Sequence, residues 1–248
     1  MKKVCLRMGI LLLAGVLWGC DAPGSKEENR DLKEPVIVES NPVEQKEKDI
    51  REEETMPNET DNIEKSLSVY LDIPQQIQET AYYCVPACVQ MALQYFGITS
   101  EQSVLASEMK SSHITGTEYI DMARVLNQYI FNSSTGRKGG YQVQTLSVQE
   151  SNPTSRDLFY QRVKKNLDDG YPSFAAVDLH ALYPELPRAN HMVIITGYQL
   201  SIRGEVLSFT ILDPYGKVQD SVYGASKTFP PGILWQAVIQ NEEPAYLW

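Results

Sequence analysis

Gln78-Glu79-Thr80-Ala81-Tyr82-Tyr83-Cys84-Val85-Pro86-Ala87-Cys88-Val89-Gln90-Met91-Ala92-Leu93-Gln94-Tyr95-Phe96-Gly97 reads as a loop that enters a helix at a cysteine. Pro86 suits the first helical turn, where a missing N–H costs nothing. Val85, Cys88, Val89, Ala92 and Phe96 recur at three- and four-residue spacing, which predicts one buried face. Gly97 supplies a left-handed cap at the far end. Cys84 then stands at the helix N-terminus, where unpaired N–H groups and the macrodipole favour a thiolate. The side chain of Gln78, on the incoming loop, can fold back beside the sulfur and offer an N–H where an oxyanion would form. This is the layout of a cysteine nucleophile. The stretch also fits a buried structural cysteine, because a free thiol packs as a small hydrophobe.

A nucleophile needs a base, and the second half of the chain offers one. His191-Met192-Val193-Ile194-Ile195-Thr196-Gly197-Tyr198 reads as an apolar strand with a histidine at its mouth. Glu205 to Leu212 is a second strand, closing in the turn sequence Asp213-Pro214-Tyr215-Gly216. A short link containing Gly204 joins them, so they pair as an antiparallel hairpin. His191 opens one strand and Asp213 closes the other, which puts both at one end of the sheet. There a carboxylate can hold an imidazole in one tautomer. His180, in the loop His180 to Asn190, is the alternative base. His113 lies in a Ser/Thr/Gly loop and reads as solvated. Tyr82, Tyr83, Tyr183 and Tyr215 flank the expected cleft, as subsite walls or as packing.

Gln78, Cys84 with Pro86-Ala87-Cys88, His191 opening an apolar strand, and Asp213-Pro214-Tyr215-Gly216 together resemble the C-thirty-nine-like branch of the papain-like cysteine peptidases. Val85 stands where that group usually has glycine, and Tyr83 where its leader-trimming enzymes have aspartate. The resemblance implies an α+β papain-like fold, with the nucleophile helix and further helices packed on an antiparallel sheet. It implies that Cys84 attacks a carbonyl carbon, that His191 holds the ion pair and protonates the leaving amine, and that Asp213 orients His191. Gln78 and the Cys84 N–H would form the oxyanion hole. The bottom-up chemistry asks for the same roles.

The remaining elements read as packing. Leu67 to Ile73 alternates as a strand stopped by Pro74. Thr99-Ser100-Glu101-Gln102 is a capping-box pattern that opens a helix to about Met109. Thr115-Gly116-Thr117-Glu118 repeats the signal, with Ile120, Ala123, Val125, Leu126 and Ile130 expected inward on a helix to about Phe131. Tyr141 to Val148 alternates as a strand, Thr154 to Asp169 is helical and ended by Gly170, and Pro172 to Leu179 is a buried strand. Cys88, one turn beyond Cys84, reads as core. A disulfide between the two would distort the helix, and zinc sites more often use a two-residue gap.

Residues 1–20 form a signal segment. Lys2, Lys3 and Arg7 precede a short apolar run, Ile10 to Trp18, and Leu17-Trp18-Gly19-Cys20 resembles a bacterial lipobox, with Trp18 a departure from its usual small or β-branched residue. Cys20 is the expected lipidation site. Residues 21–66 carry 15 acidic and 7 basic side chains, net −8 of the chain's −10, with no aromatics and scattered prolines. That composition predicts a disordered tether. The folded domain is then 67–248. It has no basic stripe, which argues against a nucleic-acid partner. The expectation is a monomeric, cofactor- and metal-free peptidase acting on peptide or protein substrates, lipid-anchored and facing outward, extracellular or periplasmic. Other acyl transfer of the amidase or transglutaminase kind, an inactive peptide-binding module, and a metal site at Cys84 and Cys88 are the alternatives.

Overall fold

The computed structural model describes residues 67–133, 140–147 and 150–248, and the backbone of Val36–Glu39. The signal segment, Cys20 and most of the 21–66 span lie outside the described residues. In chain order the elements are β1 (Val36–Glu39), β2 (Leu67–Tyr70), α1 (Cys84–Tyr95), α2 (Gln102–Glu108), α3 (Tyr119–Phe131), β3 (Val143–Thr145), α4 (Pro153–Asp168), β4 (Ser173–Asp178), α5 (Leu179–Leu182), β5 (Asn190–Leu200), β6 (Val206–Leu212), β7 (Ser226–Phe229), α6 (Pro231–Ile239) and β8 (Ala245–Leu247).

β5 is the centre of the sheet, and every pairing is antiparallel. Along one edge it pairs first with β4, Asn190 to Ile195, and then with β2, Gly197 to Leu200. Its other edge takes β6, starting only at Ile194 opposite Leu212. The predicted β5–β6 hairpin is therefore present, and its register leaves the mouth of β5 uncovered on that side. Gly197 is required by the close approach of β2: a Cβ there would meet the Val69 carbonyl oxygen at 2.7 Å. β4 is buried along its whole length, so both of its faces are covered. α1 packs on β5, while α4 and α6 pack on β4, β5 and β6.

α1 is the best-buried helix. The spacing predicts one buried face, but Val85 through Leu93 are all buried, because α2 and α3 cover the side that β5 does not. It ends as a Schellman motif. Ile98 N–H donates to Leu93 O at 2.8 Å and Gly97 N–H to Gln94 O at 3.0 Å, with Gly97 at φ +74°.

Three expectations fail locally. Ile120 does not face inward but is 70% exposed, and Met122 takes the buried position on α3. Thr115-Gly116-Thr117-Glu118 makes no capping box: Glu118 is the N-cap residue of α3, but its side chain makes no cap bond. Thr115 and Gly116 belong instead to a tight hairpin in which Ser112 and Gly116 bridge, and Thr115 Oγ1 bonds Ser112 Oγ. Gln102 makes no capping box either, because its side chain is claimed elsewhere, as described below. The chain beyond Gly216, for which the sequence offered no reading, supplies β7, α6 and β8. β8 inserts between β4 and β3 and so completes one side of the sheet. Within the span expected as tether, Val-Ile-Val-Glu at 36–39 forms edge strand β1 on β2, with Val36 opposite Tyr70.

Candidate active site

Cys84 occupies the first position of α1, half-buried, and His191 is the second residue of β5. His191 is the side chain that acts on the Cys84 thiol, lowering it by hydrogen bonding and by charge. His191 Nε2 bonds Asp213 Oδ1 at 2.7 Å. With Nε2 taken, Nδ1 is the nitrogen left for the sulfur. Asp213 follows directly on β6, and its carboxylate is fully buried. Three of the four residues expected from sequence are thus a continuous chain: thiol, imidazole, carboxylate.

The electrostatics follow from the burial and the pairing. Burial pushes the Cys84 thiol up, but the hydrogen bond and charge of His191, helped by the N–H groups of Met192 and Val85, bring it below its ordinary value. Burial pulls His191 down, and is outweighed by the Asp213 charge and hydrogen bond and then by Cys84, which raise it to about 10. Burial pushes Asp213 up, and the His191 charge, with bonds from His191, Tyr215 and Tyr183, holds it below the usual carboxylate range. The charge of each partner therefore favours the charged form of the other.

The uncovered mouth of β5 explains how both cysteines are held. N–H and C=O groups of alternate residues share an edge of a strand. Met192 presents its groups on the edge that β6 claims from Ile194 onward. Its C=O accepts from Cys88 Sγ at 3.4 Å, and its N–H is among the groups that lower the Cys84 thiol. Cys84 and Cys88 are both free thiols. Burial, then the charges of Cys84 and Asp213, push Cys88 well above an ordinary thiol.

Asp213 accepts from more than histidine. Tyr215 N–H donates to Oδ1 at 2.9 Å and Tyr183 O–H to Oδ2 at 2.8 Å. Tyr183 is thus not a subsite wall: it faces the carboxylate from behind. Burial, then the charge of Asp213, hold its proton in place. The Tyr215 ring lies 6.0 Å from the His191 ring. Tyr82 lines the cleft, with its ring 4.8 Å from that of Tyr83.

Gln78 sits on the incoming loop as expected, but its amide is engaged locally. Nε2 donates to Thr80 O at 2.8 Å and Ala81 O at 3.2 Å, and Oε1 is buried without a partner. The loop itself is fixed on two sides. Gln78 N–H donates to Pro214 O at 2.9 Å, tying it to the Asp213 turn. Gln102, 1% exposed, clamps the peptides flanking Gln78: Nε2 donates to Ile77 O at 2.9 Å, and Oε1 accepts from Glu79 N–H at 3.0 Å. Gln102 Nε2 also reaches Gln90 Oε1 at 3.0 Å, and Gln90 Nε2 donates to Ser100 O. Gln102→Leu should cost about 1–3 kcal/mol in a urea melt, because buried partners lose their bonds. It should also lower any kcat more than it raises KM, because the loop beside Cys84 loosens. Unchanged stability and kcat would deny the clamp.

The alternative histidines stand apart from the pair. His180 Nδ1 bonds Leu186 O at 2.7 Å. His113 is exposed on the wall of the cleft, 6.4 Å from the Tyr82 ring. The cleft beside Cys84 has a volume of about 250 Å³. Its walls include residues that sequence reasoning did not find: the 113–117 hairpin, Tyr119, Asn190, Met192 and Glu243. No local pattern marks them.

Solved structures similar to this chain include a double glycine motif protease from an AMS/PCAT transporter, solved in complex with the leader peptide, at TM-score 0.43 and 14% identity, covering 72% of this chain and 91% of that one. The peptidase domain of Streptococcus ComA, a bifunctional ABC transporter of a quorum-sensing pathway, matches at TM-score 0.41 and 12% identity, over 70% of this chain and 94% of that one. A Bacillus anthracis protein described as a C39-like peptidase matches at TM-score 0.46 and 18% identity, over 73% and 96%. Among curated proteins none is a significant sequence match. Residues 70–238 match the family model described as Peptidase_C39 like family, a span that holds Gln78, Cys84, His191 and Asp213. This α+β chain, a cysteine-peptidase-type domain, belongs to the Peptidase_C39 like family.

Proposed function

We propose that the protein is a membrane-tethered, outward-facing cysteine peptidase that hydrolyses peptide or isopeptide bonds. The observation that carries this reading is the imidazole of His191, held between the Cys84 sulfur and the buried carboxylate of Asp213. The Cys84 thiolate adds to the carbonyl carbon, and the oxyanion is met by the Cys84 N–H, which has no partner inside its helix. Gln78 joins as second donor when the substrate oxygen displaces the loop carbonyls from its amide. His191 gives its proton to the leaving amine, leaving a thioester on Cys84. It then takes a proton from water as that water attacks the thioester, and the thiolate is regenerated. No cofactor or metal has a step in this scheme.

The engagement of both Gln78 amide hydrogens favours one second reading, a cleft that captures peptides without turnover. Incubating the purified protein with a peptide library and identifying products by mass spectrometry separates the two. New termini that vanish in Cys84→Ala support hydrolysis, and amine-exchanged products would assign other acyl transfer. Captured but intact peptides would assign the binding module. The tether is tested separately: the native N-terminus should be a diacylated or triacylated Cys20, and an unmodified N-terminus elsewhere would refute the anchor.

A further inference from the structure

The cleft beside Cys84 is lined largely by uncharged groups. Among the described lining residues Glu243 bears the only carboxylate, and none is a lysine or arginine. Glu243 lies between α6 and β8, on a backbone fixed to its surroundings. Its N–H donates to Asn241 Oδ1 at 2.8 Å, and its C=O accepts from Tyr119 O–H at 3.1 Å. Asn241 is buried and anchored in turn, with Nδ2 donating to Val177 O of β4 at 2.7 Å. Glu242 N–H reaches Asn190 Oδ1, at the mouth of β5, at 3.3 Å. The exposed side chain of Glu243 has no ion-pair partner among the described residues.

Two further observations place its charge in the room of the nucleophile. Burial of the Tyr119 phenol, then the charge of Glu243, then that of Cys84, hold its proton on, so one hydroxyl feels both groups. The opposing hairpin spends its polar groups on itself. Ser111 Oγ and Thr117 Oγ1 bond at 2.6 Å, and Ser112 Oγ accepts from the Ile114 and Thr115 N–H groups. The hairpin's one imidazole, His113, lines the same cleft and makes no ion pair with Glu243 among the described residues.

We propose that Glu243 is a subsite for a cationic group, an ammonium or guanidinium, and that the cleft selects polypeptides carrying such a group close to the scissile bond. The substrate half of this inference rests on the peptidase reading, whereas the charge selection does not. The subsite is anchored by its backbone but open at its carboxylate, so a partly exposed ion pair forms on binding. Its contribution is modest and falls with salt.

The test uses reagents that need no turnover. Aminoethyl methanethiosulfonate is cationic and sulfonatoethyl methanethiosulfonate anionic. Each passes its thioalkyl group to the Cys84 thiolate, forming a mixed disulfide and releasing methanesulfinate. The cation-to-anion rate ratio at Cys84, located by fragment mass, should fall about 5-fold in Glu243→Gln at low salt and further in Glu243→Lys, the scale of one such pair. An unchanged ratio in both variants overturns the subsite. In parallel, N-acetylated peptides differing only in Lys, Arg, norleucine or Glu at each position near the cut are compared with versions bearing a free N-terminus. A kcat/KM preference for Lys or Arg, lost in Glu243→Gln, assigns a side-chain cation. A preference only for the free terminus assigns the α-ammonium. Cleavage without charge preference in the wild type overturns the substrate class. A changed reagent ratio with no peptide cut would leave the cation subsite standing and remove the peptidase reading instead.

Discussion

His191→Ala should leave a protein whose Cys84 alkylates slowly below pH 8 and whose turnover is lost. Burial alone pushes this thiol up, and the His191 hydrogen bond and charge are the largest influences bringing it down. Removing them leaves only the N–H groups of Met192 and Val85, so the sulfur should titrate near or above a free thiol's value of about 8.5. At pH 6 the iodoacetamide rate should fall by roughly 100-fold, following the lost thiolate fraction. Hydrolysis should fall further, by about 10⁴-fold or more, because the proton donor to the leaving group is gone as well. His180→Ala is the matched control. Its ring is bonded to Leu186 O, so it should shift neither profile. A shift in His180→Ala with none in His191→Ala would transfer the base to His180.

Asp213→Ala should be the second-largest loss, and its pH dependence is distinctive. The carboxylate is fully buried and accepts from His191, Tyr215 and Tyr183, so truncation strands three donors. Breaking a buried pair of this kind costs about 3–5 kcal/mol. Asp213 is depressed, so its contribution exists above its unfolded value of about 3.9 and is lost as pH falls through the folded one. His191 is raised, so its contribution is complete below about 6.5 and is lost as pH rises towards 10. The destabilisation measured by urea unfolding should therefore be greatest between about pH 4 and 6.5 and shrink towards pH 10. A pH-independent loss would mean that the pair is uncharged.

Asp213→Asn should be far milder. The amide oxygen can still accept from His191 and Tyr215, while its NH₂ turns to the Tyr183 oxygen. Orientation survives and charge does not, so kcat should fall by about 10- to 100-fold. Tyr183→Phe tests the group behind the carboxylate. Loss of its donor raises the proton affinity of Asp213, which should move the acid limb of the kcat profile upward. A merely structural tyrosine would leave that limb in place.

The Cys84–His191–Asp213 chain was legible because each member announces itself locally. A cysteine at a loop-to-helix junction, a histidine opening an apolar strand and an aspartate closing the next are short-range patterns. The β5–β6 hairpin then brings the last two together through its register. Tyr183, Gln102 and Glu243 were not legible for a physical reason. Tyr183 reaches its carboxylate across 30 residues, and the Gln102 amide reaches Glu79 across 23. Tyr119 meets the Glu243 carbonyl across 124. Such bonds depend on how elements stack. Gln102 shows the conflict directly: in sequence it completes a capping box, but in the fold its buried amide bonds two peptides of another loop. Ile120 fails for a related reason, since helical spacing alone does not say which stripe of α3 meets α1.

Gln78 lies between these cases. Its position on the loop was readable, whereas the use of its amide by Thr80 and Ala81 was not. Replacing Gln78 by Ala separates the two roles. Lost oxyanion stabilisation would cut turnover by about 100-fold and leave Cys84 alkylation nearly unchanged.

The pH dependence of iodoacetamide alkylation is the most direct test of a Cys84 thiolate held by His191 at the mouth of β5. Cys88, one turn along the same helix and pushed well above an ordinary thiol by burial, is the internal reference. Cys84 should be modified first and should stay fast well below pH 8.5, while Cys88 stays slow. A Cys84 rate that rises only at or above about pH 8.5, in step with an unassisted thiol, would contradict the ion pair and with it the enzyme.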